Sequence, residues 1–191
     1  MTENNVKKFY KICLLGDSGV GKTAIAERYV NNKFDVDSIC TIGASFLTKK
    51  IQNDNTQLNL EIWDTAGQER YRALTPLYYR QCSAVIIVID NTENLSIESA
   101  EYWIKRVNEE NEKPYIILVI NKTDLNQDIN EINIENFCNS YSVDYIYVSA
   151  KTNANIDNLF NRIITNIYSN PIKRSIKLEE YEINSKPKCC K

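Results

Sequence analysis

The sequence predicts one α/β domain, in which a six-stranded and mainly parallel sheet is covered by helices on both faces. Two observations lead to this fold class. Short unbroken apolar runs alternate along the chain with segments that are apolar on one side only, which is the pattern of parallel strands joined by helices. The 191 residues suffice for one domain with a full core and are too few for two ordinary domains.

Six segments have the pattern of β-strands. Unbroken apolar runs indicate buried strands, and alternating apolar and polar residues indicate strands with one exposed face. The two alternating segments are joined by the turn Asn53-Asp54-Asn55, which predicts a hairpin with one antiparallel pairing. The predicted strands are Phe9–Leu15, Ala44–Gln52, Leu58–Asp64, Ala84–Asp90, Tyr115–Ile120 and Tyr145–Val148.

Five segments have the pattern of helices. Asn31-Asn32 is a stop signal for the first of them, and Ser96 is expected to cap the third at its N-terminus. The last has an apolar stripe from Ile156 to Ile167, which is typical of a helix packed against a sheet. The predicted helices are Lys22–Asn31, Tyr71–Arg80, Ser96–Asn111, Asn130–Ser140 and Ile156–Tyr168.

The composition divides the chain into three parts. Residues 1–8 form a short polar N-terminal extension, and residues 9–170 carry all the predicted strands and helices. From Pro171 the chain is polar and rich in Lys and Glu, so residues 171–191 are predicted to form a flexible tail. Within the domain, Lys33–Gly43 has no sustained period and is predicted to be an exposed loop.

The composition also excludes several classes of function. The net charge of −2 gives no basic excess, so nucleic acid is not a predicted partner. No apolar run is long enough to span a membrane, and the N-terminus lacks the apolar core of a signal peptide, so we expect a cytosolic protein unless the chain carries an anchor. The absence of histidine excludes Ser-His-Asp triads and His-ligated zinc. Phosphoryl transfer is not excluded, because it depends mostly on positioning and charge.

A glycine-rich turn between the first strand and the first helix fits the phosphate-loop pattern G-x-x-x-x-G-K-[ST]. Its glycines let backbone N–H groups point at phosphate oxygens, and the start of the helix adds the positive end of its dipole. Lys22 supplies a positive charge to the outer phosphates, and the Thr23 hydroxyl is a hard ligand for Mg²⁺. The alternative is a flexible Gly-Ser loop, which the flanking strand and helix patterns disfavour. The loop residues are Gly16, Asp17, Ser18, Gly19, Val20, Gly21, Lys22 and Thr23.

Further motifs follow the ends of predicted strands. Asp64 ends the third strand before a glycine turn, which is the expected place for an acid near Mg²⁺. Asn121-Lys122-Thr123-Asp124 follows the fifth strand, where the Asp124 carboxylate is suited to accept hydrogen bonds from N1–H and the exocyclic amine of guanine. An ordinary polar turn would also explain this tetrapeptide. Ser149-Ala150-Lys151, which follows the next strand, favours the guanine site.

In order and spacing, these motifs resemble those of the small Ras-like GTPases over about Phe9 to Tyr168, and more closely those of the Rab branch. The Rab similarity rests on three segments, of which the first is similar to the endosomal Rab subgroup. The resemblance implies a GTP-binding domain over residues 9–170, with GTP or GDP and Mg²⁺ as its cofactors. The three segments are Ile42-Gly43-Ala44-Ser45-Phe46, Trp63–Tyr71 and Leu77–Arg80.

The resemblance also implies roles for individual residues. The implied metal ligands are Thr23, Thr41 and Asp64, the last of them through water. The implied catalytic residues are Lys22, Thr41 and Gln68, and Gln68 orients the attacking water. Gly67 senses the γ-phosphate, Lys122 and Phe34 pack against the base, and the Ala150 amide meets the guanine oxygen. The implied nucleotide-binding residues are Asp17, Ser18, Gly19, Val20, Gly21, Lys22, Thr23, Ala24, Phe34, Thr41, Gly67, Asn121, Lys122, Asp124, Ser149, Ala150 and Lys151.

By the same resemblance, the protein is expected to be a slow GTPase that acts as a switch in vesicle or endosomal membrane traffic. The large side chains of Phe46, Trp63 and Tyr78 are predicted to form an effector patch, with plain core packing as the alternative. The expected protein partners are a nucleotide exchange factor, a GTPase-activating protein, a GDP-dissociation inhibitor, a prenylation escort protein and GTP-dependent effectors.

The C-terminal cysteines Cys189 and Cys190 do not fit the C-a-a-X box, because a cysteine would be required at Lys188. They resemble the Cys-Cys-x ending of Rab proteins, in which both thiols are prenylated. The implied location is the cytoplasmic face of an intracellular membrane, expected to be an endosomal one, with a soluble cytosolic pool. Two exposed thiols are the alternative interpretation of this pair.

Two other classes of protein use a phosphate loop. A metabolic phosphoryl transferase or ATPase needs an acceptor-binding lid, and no segment between Asp90 and Ile129 has the pattern of an inserted lid. A guanine-nucleotide-binding module with negligible hydrolysis, acting as a scaffold, would be supported by the loss of Gln68, which is present. The switch GTPase is therefore the leading hypothesis.

Overall fold

The computed structural model describes residues 6–37, 39–53, 56–93, 96–110, 113–126 and 131–169. Its six strands form one sheet in the order β2-β3-β1-β4-β5-β6. The β2–β3 pair is antiparallel and the other four pairs are parallel, which confirms the predicted mainly parallel sheet with one hairpin. The strands are β1 (Val6–Leu15), β2 (Ala44–Asn53), β3 (Thr56–Thr65), β4 (Ala84–Asp90), β5 (Tyr115–Asn121) and β6 (Asp144–Tyr147).

Helices cover both faces of the sheet, as predicted. Side chains of α1 and α5 pack on one face, where the rings of Tyr29 and Phe160 stack within a buried cluster. Side chains of α2, α3 and α4 pack on the other face, in a cluster that contains Trp103. In the part of the chain that the structure describes, no helix combines the length and apolar character needed to cross a membrane. The helices are α1 (Lys22–Asn31), α2 (Thr75–Tyr79), α3 (Ser96–Glu109), α4 (Glu131–Tyr141) and α5 (Ile156–Ser169).

The prediction of one helix over Tyr71–Arg80 is wrong. The structure has a 3₁₀ turn at Glu69–Tyr71 and a separate short helix, α2, that begins at Thr75. Pro76 explains the late start, because proline has no N–H to donate and is tolerated only in the first turn of a helix. The residues between the two elements form a turn.

Several other element ends differ from the prediction by one to three residues. β1 begins at Val6 because it pairs with β3 from Val6 onward, so strand pairing and not the apolar run sets its start. Ser96 is the first residue of α3 and not its N-cap, which lies outside the described residues. Asp54 and Asn55 of the predicted hairpin turn also lie outside them. The predicted bounds of α1 and β4 are confirmed.

The parallel strands bring the sequence motifs to one edge of the sheet. In the register of the sheet, Leu14 of β1 lies beside Asp64 of β3, and Asp90 of β4 lies beside Asn121 of β5. The loops that follow these strands therefore meet at the carboxyl edge, which is where α/β sheets bind ligands.

Candidate functional site

The phosphate loop connects the end of β1 at Leu15 with the first residue of α1, Lys22. Gly21 precedes the helix with a positive φ of 94°, a conformation that favours glycine. A Cβ atom at Gly21 would lie 2.3 Å from Nδ2 of Asn121. The loop is therefore packed directly against the β5 motif, and only glycine fits at this contact.

Lys22 lies inside the phosphate loop and is 5% exposed. Its ammonium group donates to the carbonyl oxygens of Gly16 at 2.8 Å and Asp17 at 2.6 Å. Burial lowers the pKa of Lys22 to about 8. Gly67, after β3, approaches so closely that a Cβ atom there would lie 2.5 Å from Nζ of Lys22. The predicted γ-phosphate sensor and the phosphate-loop lysine are thus brought together.

Three hydroxyl groups converge on one carboxylate oxygen, Oδ2 of Asp64. Thr23 donates to it at 2.7 Å, Ser45 at 3.3 Å and Thr41 at 3.4 Å. The hydroxyl oxygens of Thr23 and Thr41 are 2.9 Å apart. Burial raises the pKa of Asp64, and the hydrogen bond from Thr23 opposes that rise.

The other carboxylate oxygen of Asp64, Oδ1, is buried and has no hydrogen-bond partner among the described residues. A buried carboxylate oxygen without a partner, beside two hydroxyl groups, fits a hard cation such as Mg²⁺. Over the described ranges no cluster of three or more His, Cys, Asp or Glu side chains could hold a metal ion. The arrangement at Asp64 is therefore one carboxylate with hydroxyl groups, which suits a cation that keeps several waters.

A cavity lies between the phosphate loop, the loop before β2 and the turn after β3. Most of its lining residues were predicted from the sequence, but Ile39, Cys40 and Thr65 were not. Val20 does not line it, since its side chain is buried in the core. The lining residues are Ser18, Gly19, Gly21, Lys22, Thr23, Ala24, Ile39, Cys40, Thr41, Thr65 and Gly67.

The predicted catalytic glutamine is not among the residues that line this cavity. Oε1 of Gln68 instead accepts a hydrogen bond from Nε of Arg70 at 2.6 Å. Asp17 of the phosphate loop is not a lining residue either, and it forms an ion pair with Arg72 at 3.0 Å. The first contact thus lies within the turn after β3, and the second joins that turn to the phosphate loop.

The predicted base-reading residues form one hydrogen-bonded group. The side chain of Asn121 donates to the Val20 carbonyl at 2.9 Å and accepts from the Ala150 N–H at 3.2 Å. The Ser149 hydroxyl donates to Oδ1 of Asp124 at 2.5 Å. Asn121 therefore joins the phosphate loop to the loop after β6, and Ser149 orients the carboxylate predicted to read guanine.

Asp90 is a site residue that the sequence reasoning missed. It is buried, and Oδ2 forms an ion pair of 2.5 Å with Lys122, while Oδ1 accepts from Thr92. Burial alone would raise the pKa of Asp90, but the bonds from Lys122 and Thr92 outweigh it and lower that pKa. The ion pair fixes the end of the Lys122 side chain. Asp90 therefore positions a residue that is predicted to pack against the base. No local pattern marked this pairing.

Arg28 is a second residue that the sequence reasoning missed. It lies in the last turn of α1, where a basic residue is ordinary because it complements the helix dipole. Its side chain reaches across to donate to the carbonyl oxygens of Ala150 at 2.8 Å and Lys151 at 3.1 Å. Its guanidinium carbon lies 5.8 Å from the ring centre of Phe34, the other residue predicted to contact the base.

The sequence is similar to those of a known protein family. The model of the Ras family matches residues 11–169. Rab-5B of Plasmodium falciparum is 42% identical over 161 residues, which cover 83% of this chain and 78% of that protein. Mouse Rab-22A is 39% identical over 189 residues, which cover 94% of this chain and 97% of that protein. This chain belongs to the Rab family of Ras-like small GTPases.

The family assignment gives the activity. Rab11B of Nicotiana tabacum, at 33% identity over 92% of this chain and 82% of that protein, belongs to the same group of relatives. The Rab-family chain is a small GTPase switch that hydrolyses GTP and takes part in membrane trafficking. The predicted family, fold and activity are confirmed.

The three aromatic residues predicted to form an effector patch of this Rab are in contact. The ring of Phe46 lies 5.2 Å from that of Trp63, which lies 6.0 Å from that of Tyr78. Phe46 is 49% exposed, while Trp63 and Tyr78 are half-buried. Exposed apolar side chains at Ile42 and Leu77 lie in two of the three segments that carry the Rab similarity. Plain core packing would bury Phe46, so it does not account for that residue, whereas Trp63 and Tyr78 pack in part against the core.

The predicted prenylation site of this Rab lies outside the described residues. Cys189 and Cys190 belong to the last part of the chain, beyond Ser169. Their modification therefore stays a prediction.

Proposed function

We propose that the phosphates of GTP or GDP lie in the phosphate loop, with Mg²⁺ held by the hydroxyl oxygens of Thr23 and Thr41 and, through water, by Asp64. One observation carries this proposal, namely the convergence of both hydroxyls on Oδ2 of Asp64 beside the buried ammonium of Lys22. When bound, Mg²⁺ would neutralise charge on the phosphates. Lys22 would exchange its two carbonyl contacts for phosphate oxygens.

A magnesium-dependence measurement tests this proposal. Thr23→Ala removes the proposed ligand, and Thr48→Ala is the matched control because Thr48 is an exposed threonine of β2. The measured quantity is the rate of GDP dissociation in excess Mg²⁺ and after chelation of Mg²⁺. We expect Mg²⁺ to slow release strongly from the wild type and from Thr48→Ala, and only weakly from Thr23→Ala. A wild-type response of Thr23→Ala would remove Thr23 from the metal site.

The base is proposed to lie between the loops after β5 and β6. Asp124 accepts from the N1–H and amine of guanine, and Lys122 and Phe34 pack on the base. The Ala150 N–H meets the guanine oxygen and exchanges its present bond to Asn121 for that contact. The bond from Ser149 to Oδ1 supports this role, because it orients the Asp124 carboxylate while each carboxylate oxygen keeps a lone pair that can accept a bond from guanine.

Hydrolysis is proposed to require a rearrangement of Gln68. Its side-chain oxygen now accepts from Arg70, so this bond must be exchanged before Gln68 can orient the attacking water. A GTPase-activating protein would assist that exchange and supply positive charge to the transition state. The scaffold alternative predicts negligible hydrolysis in a single-turnover measurement, whereas the proposed role of Gln68 predicts a slow but measurable rate.

The membrane anchor is proposed to be a pair of prenyl groups on Cys189 and Cys190. One lipid chain gives marginal and reversible binding, whereas two give stable attachment. The likeness of residues 42–46 to the endosomal Rab subgroup supports an endosomal membrane as the location. The proposed partners are an exchange factor, an activating protein, a GDP-dissociation inhibitor and a prenylation escort protein, with effectors that bind the aromatic cluster of Phe46, Trp63 and Tyr78.

A further inference from the structure

The side chain of Arg28 joins the segment just after α1 to the loop after β6, which lies 122 positions further along the chain. Nε donates to the Ala150 carbonyl at 2.8 Å, and Nη2 donates to the Lys151 carbonyl at 3.1 Å. Nη1 donates to the carbonyl of Asn32 at 3.2 Å, just after α1. The planar guanidinium is suited to this task, because its donors form a rigid fork that satisfies several carbonyl oxygens at once.

The segment after α1 is held in place by the same residue. Asn32 ends the helix in the left-handed conformation, with φ of 53°, and its N–H donates to the Arg28 carbonyl. Phe34 follows two residues later, and its ring centre lies 5.8 Å from the Arg28 guanidinium carbon. Arg28 therefore fixes both the helix end and the position from which Phe34 projects.

The loop after β6 is held from two sides. Ala150 is 2% exposed, its N–H donates to Asn121 at 3.2 Å, and its carbonyl accepts from Arg28. A buried carbonyl that loses its donor carries a desolvation cost, so the loop must move if the Arg28 bond is removed. Such a movement would displace the Ala150 N–H as well.

We propose that Arg28 is a positioning residue of the nucleotide site, which holds the Ala150 backbone and Phe34 at a fixed separation and so sets the rate at which the nucleotide leaves. This inference rests on the proposed contacts of Ala150 and Phe34 with guanine. Affinity changes at one site appear mostly in the dissociation rate. In catalysis, a misplacement of about 1 Å can cost about 10²-fold in rate, and we take this as the upper limit for the loss of an aligned contact here.

The test compares GDP dissociation from the full chain and from Arg28→Lys and Arg28→Gln. Arg162→Lys is the matched control, because Arg162 of α5 also donates to a backbone carbonyl, that of Tyr145 at 3.4 Å, on another edge of the domain. We expect both Arg28 variants to release GDP roughly tenfold to a hundredfold faster, with the lysine variant less affected. The control is expected to release GDP at the wild-type rate.

Two further readouts distinguish positioning from a general loss of stability. Inosine diphosphate keeps the C6 carbonyl oxygen of the base, which the Ala150 N–H would meet, and lacks the amine that Asp124 would bind. GDP and inosine diphosphate should therefore both be released faster by the same factor. The slowing of release by Mg²⁺ should be unchanged, because Arg28 does not contact the Thr23, Thr41 and Asp64 group. A change in the Mg²⁺ response would overturn the proposal in favour of a general loosening of the site.

A double-mutant cycle with Phe34→Leu measures the coupling between Arg28 and Phe34, which neither single variant gives alone. If Arg28 acts by holding Phe34 and the Ala150 backbone at a fixed separation, the effects of Arg28→Lys and Phe34→Leu on the logarithm of the dissociation rate are less than additive. Wild-type release rates in both Arg28 variants, or full additivity in the cycle, would overturn the proposal. If the wild type itself binds ADP as tightly as GDP, the proposed guanine site fails, and this outcome is distinct from a failure of Arg28.

Discussion

The hydroxyl oxygens of Thr23 and Thr41 lie 2.9 Å apart, although one residue belongs to the first turn of α1 and the other to the loop before β2. Both hydroxyls donate to the same oxygen of Asp64. Around Thr41, the loop before β2 is thus held over the cavity by these hydroxyl and carboxylate groups and not by the side chains of Ile39 and Ile42, which are 91% and 81% exposed. The position of Thr41 therefore depends on what these oxygen atoms bind.

Thr41→Ala is predicted to uncouple this loop from the nucleotide. Loss of the hydroxyl removes one contact to the proposed metal and to Asp64. A rise of about 1.4 kcal/mol in the activation free energy corresponds to a tenfold slower rate. We expect intrinsic GTP hydrolysis to slow by about tenfold or more. Thr41→Ser keeps the hydroxyl and is expected to restore the rate, as measured by single-turnover phosphate release. Equal rates in the alanine and serine variants would contradict the role of the hydroxyl.

Local patterns in the sequence predicted much of the fold and the motif residues of the site. The bounds of α1 and β4 were correct because asparagines end the helix and an apolar run fills the strand. Arg28 and Ala150 are 122 positions apart, so their contact leaves no local pattern. The hydrogen bond between Gln68 and Arg70 could not be predicted either, because it depends on the conformation of the turn after β3.

Asp124→Asn is predicted to change which base the protein binds. The amide cannot accept both hydrogen bonds from guanine, and hydrogen bonds to charged groups contribute about 1.5–3 kcal/mol each, so we expect GTP affinity to fall by roughly 10²-fold. Xanthosine triphosphate should bind better, because xanthine has a carbonyl where guanine has its amine and an amide donates to it. Equilibrium binding of both nucleotides gives the result. Asp157→Asn, on the exposed side of α5, is the control, and unchanged GTP affinity in Asp124→Asn would place the base elsewhere.

Gln68→Leu is predicted to retain nucleotide binding and lose the response to an activating protein. Related switches hydrolyse GTP at ~10⁻⁴–10⁻³ s⁻¹ alone and up to ~10⁵-fold faster when a partner inserts an arginine. Leucine cannot orient water, so most of that acceleration should disappear. The rate of phosphate release with and without the activating protein measures this acceleration. Arg70→Lys is a companion variant, because it weakens the hydrogen bond that Gln68 now accepts and leaves the glutamine in place. A normal response of Gln68→Leu would show that another group positions the water.

The Asp90–Lys122 ion pair is predicted to make stability depend on pH below about 5. Its partners lower the pKa of Asp90 in the folded protein, so the folded state favours the charged carboxylate. The resulting stability is present above the unfolded pKa of about 3.9 and is lost as pH falls through the lower folded value. Asp90→Asn keeps an acceptor for Thr92 but loses the charge, and we expect it to be less stable by about 1.5–3 kcal/mol at pH 7.

The difference between wild type and Asp90→Asn should therefore narrow as the pH is lowered from 5 toward 3. Urea unfolding at several pH values, in the same excess of GDP, measures the free energy of unfolding of each protein. Glu98→Gln is the control, because Glu98 is an exposed carboxylate of α3. A difference that stays constant over this pH range would mean that the charge of Asp90 does not stabilise the fold, and that the asparagine acts only through its shape.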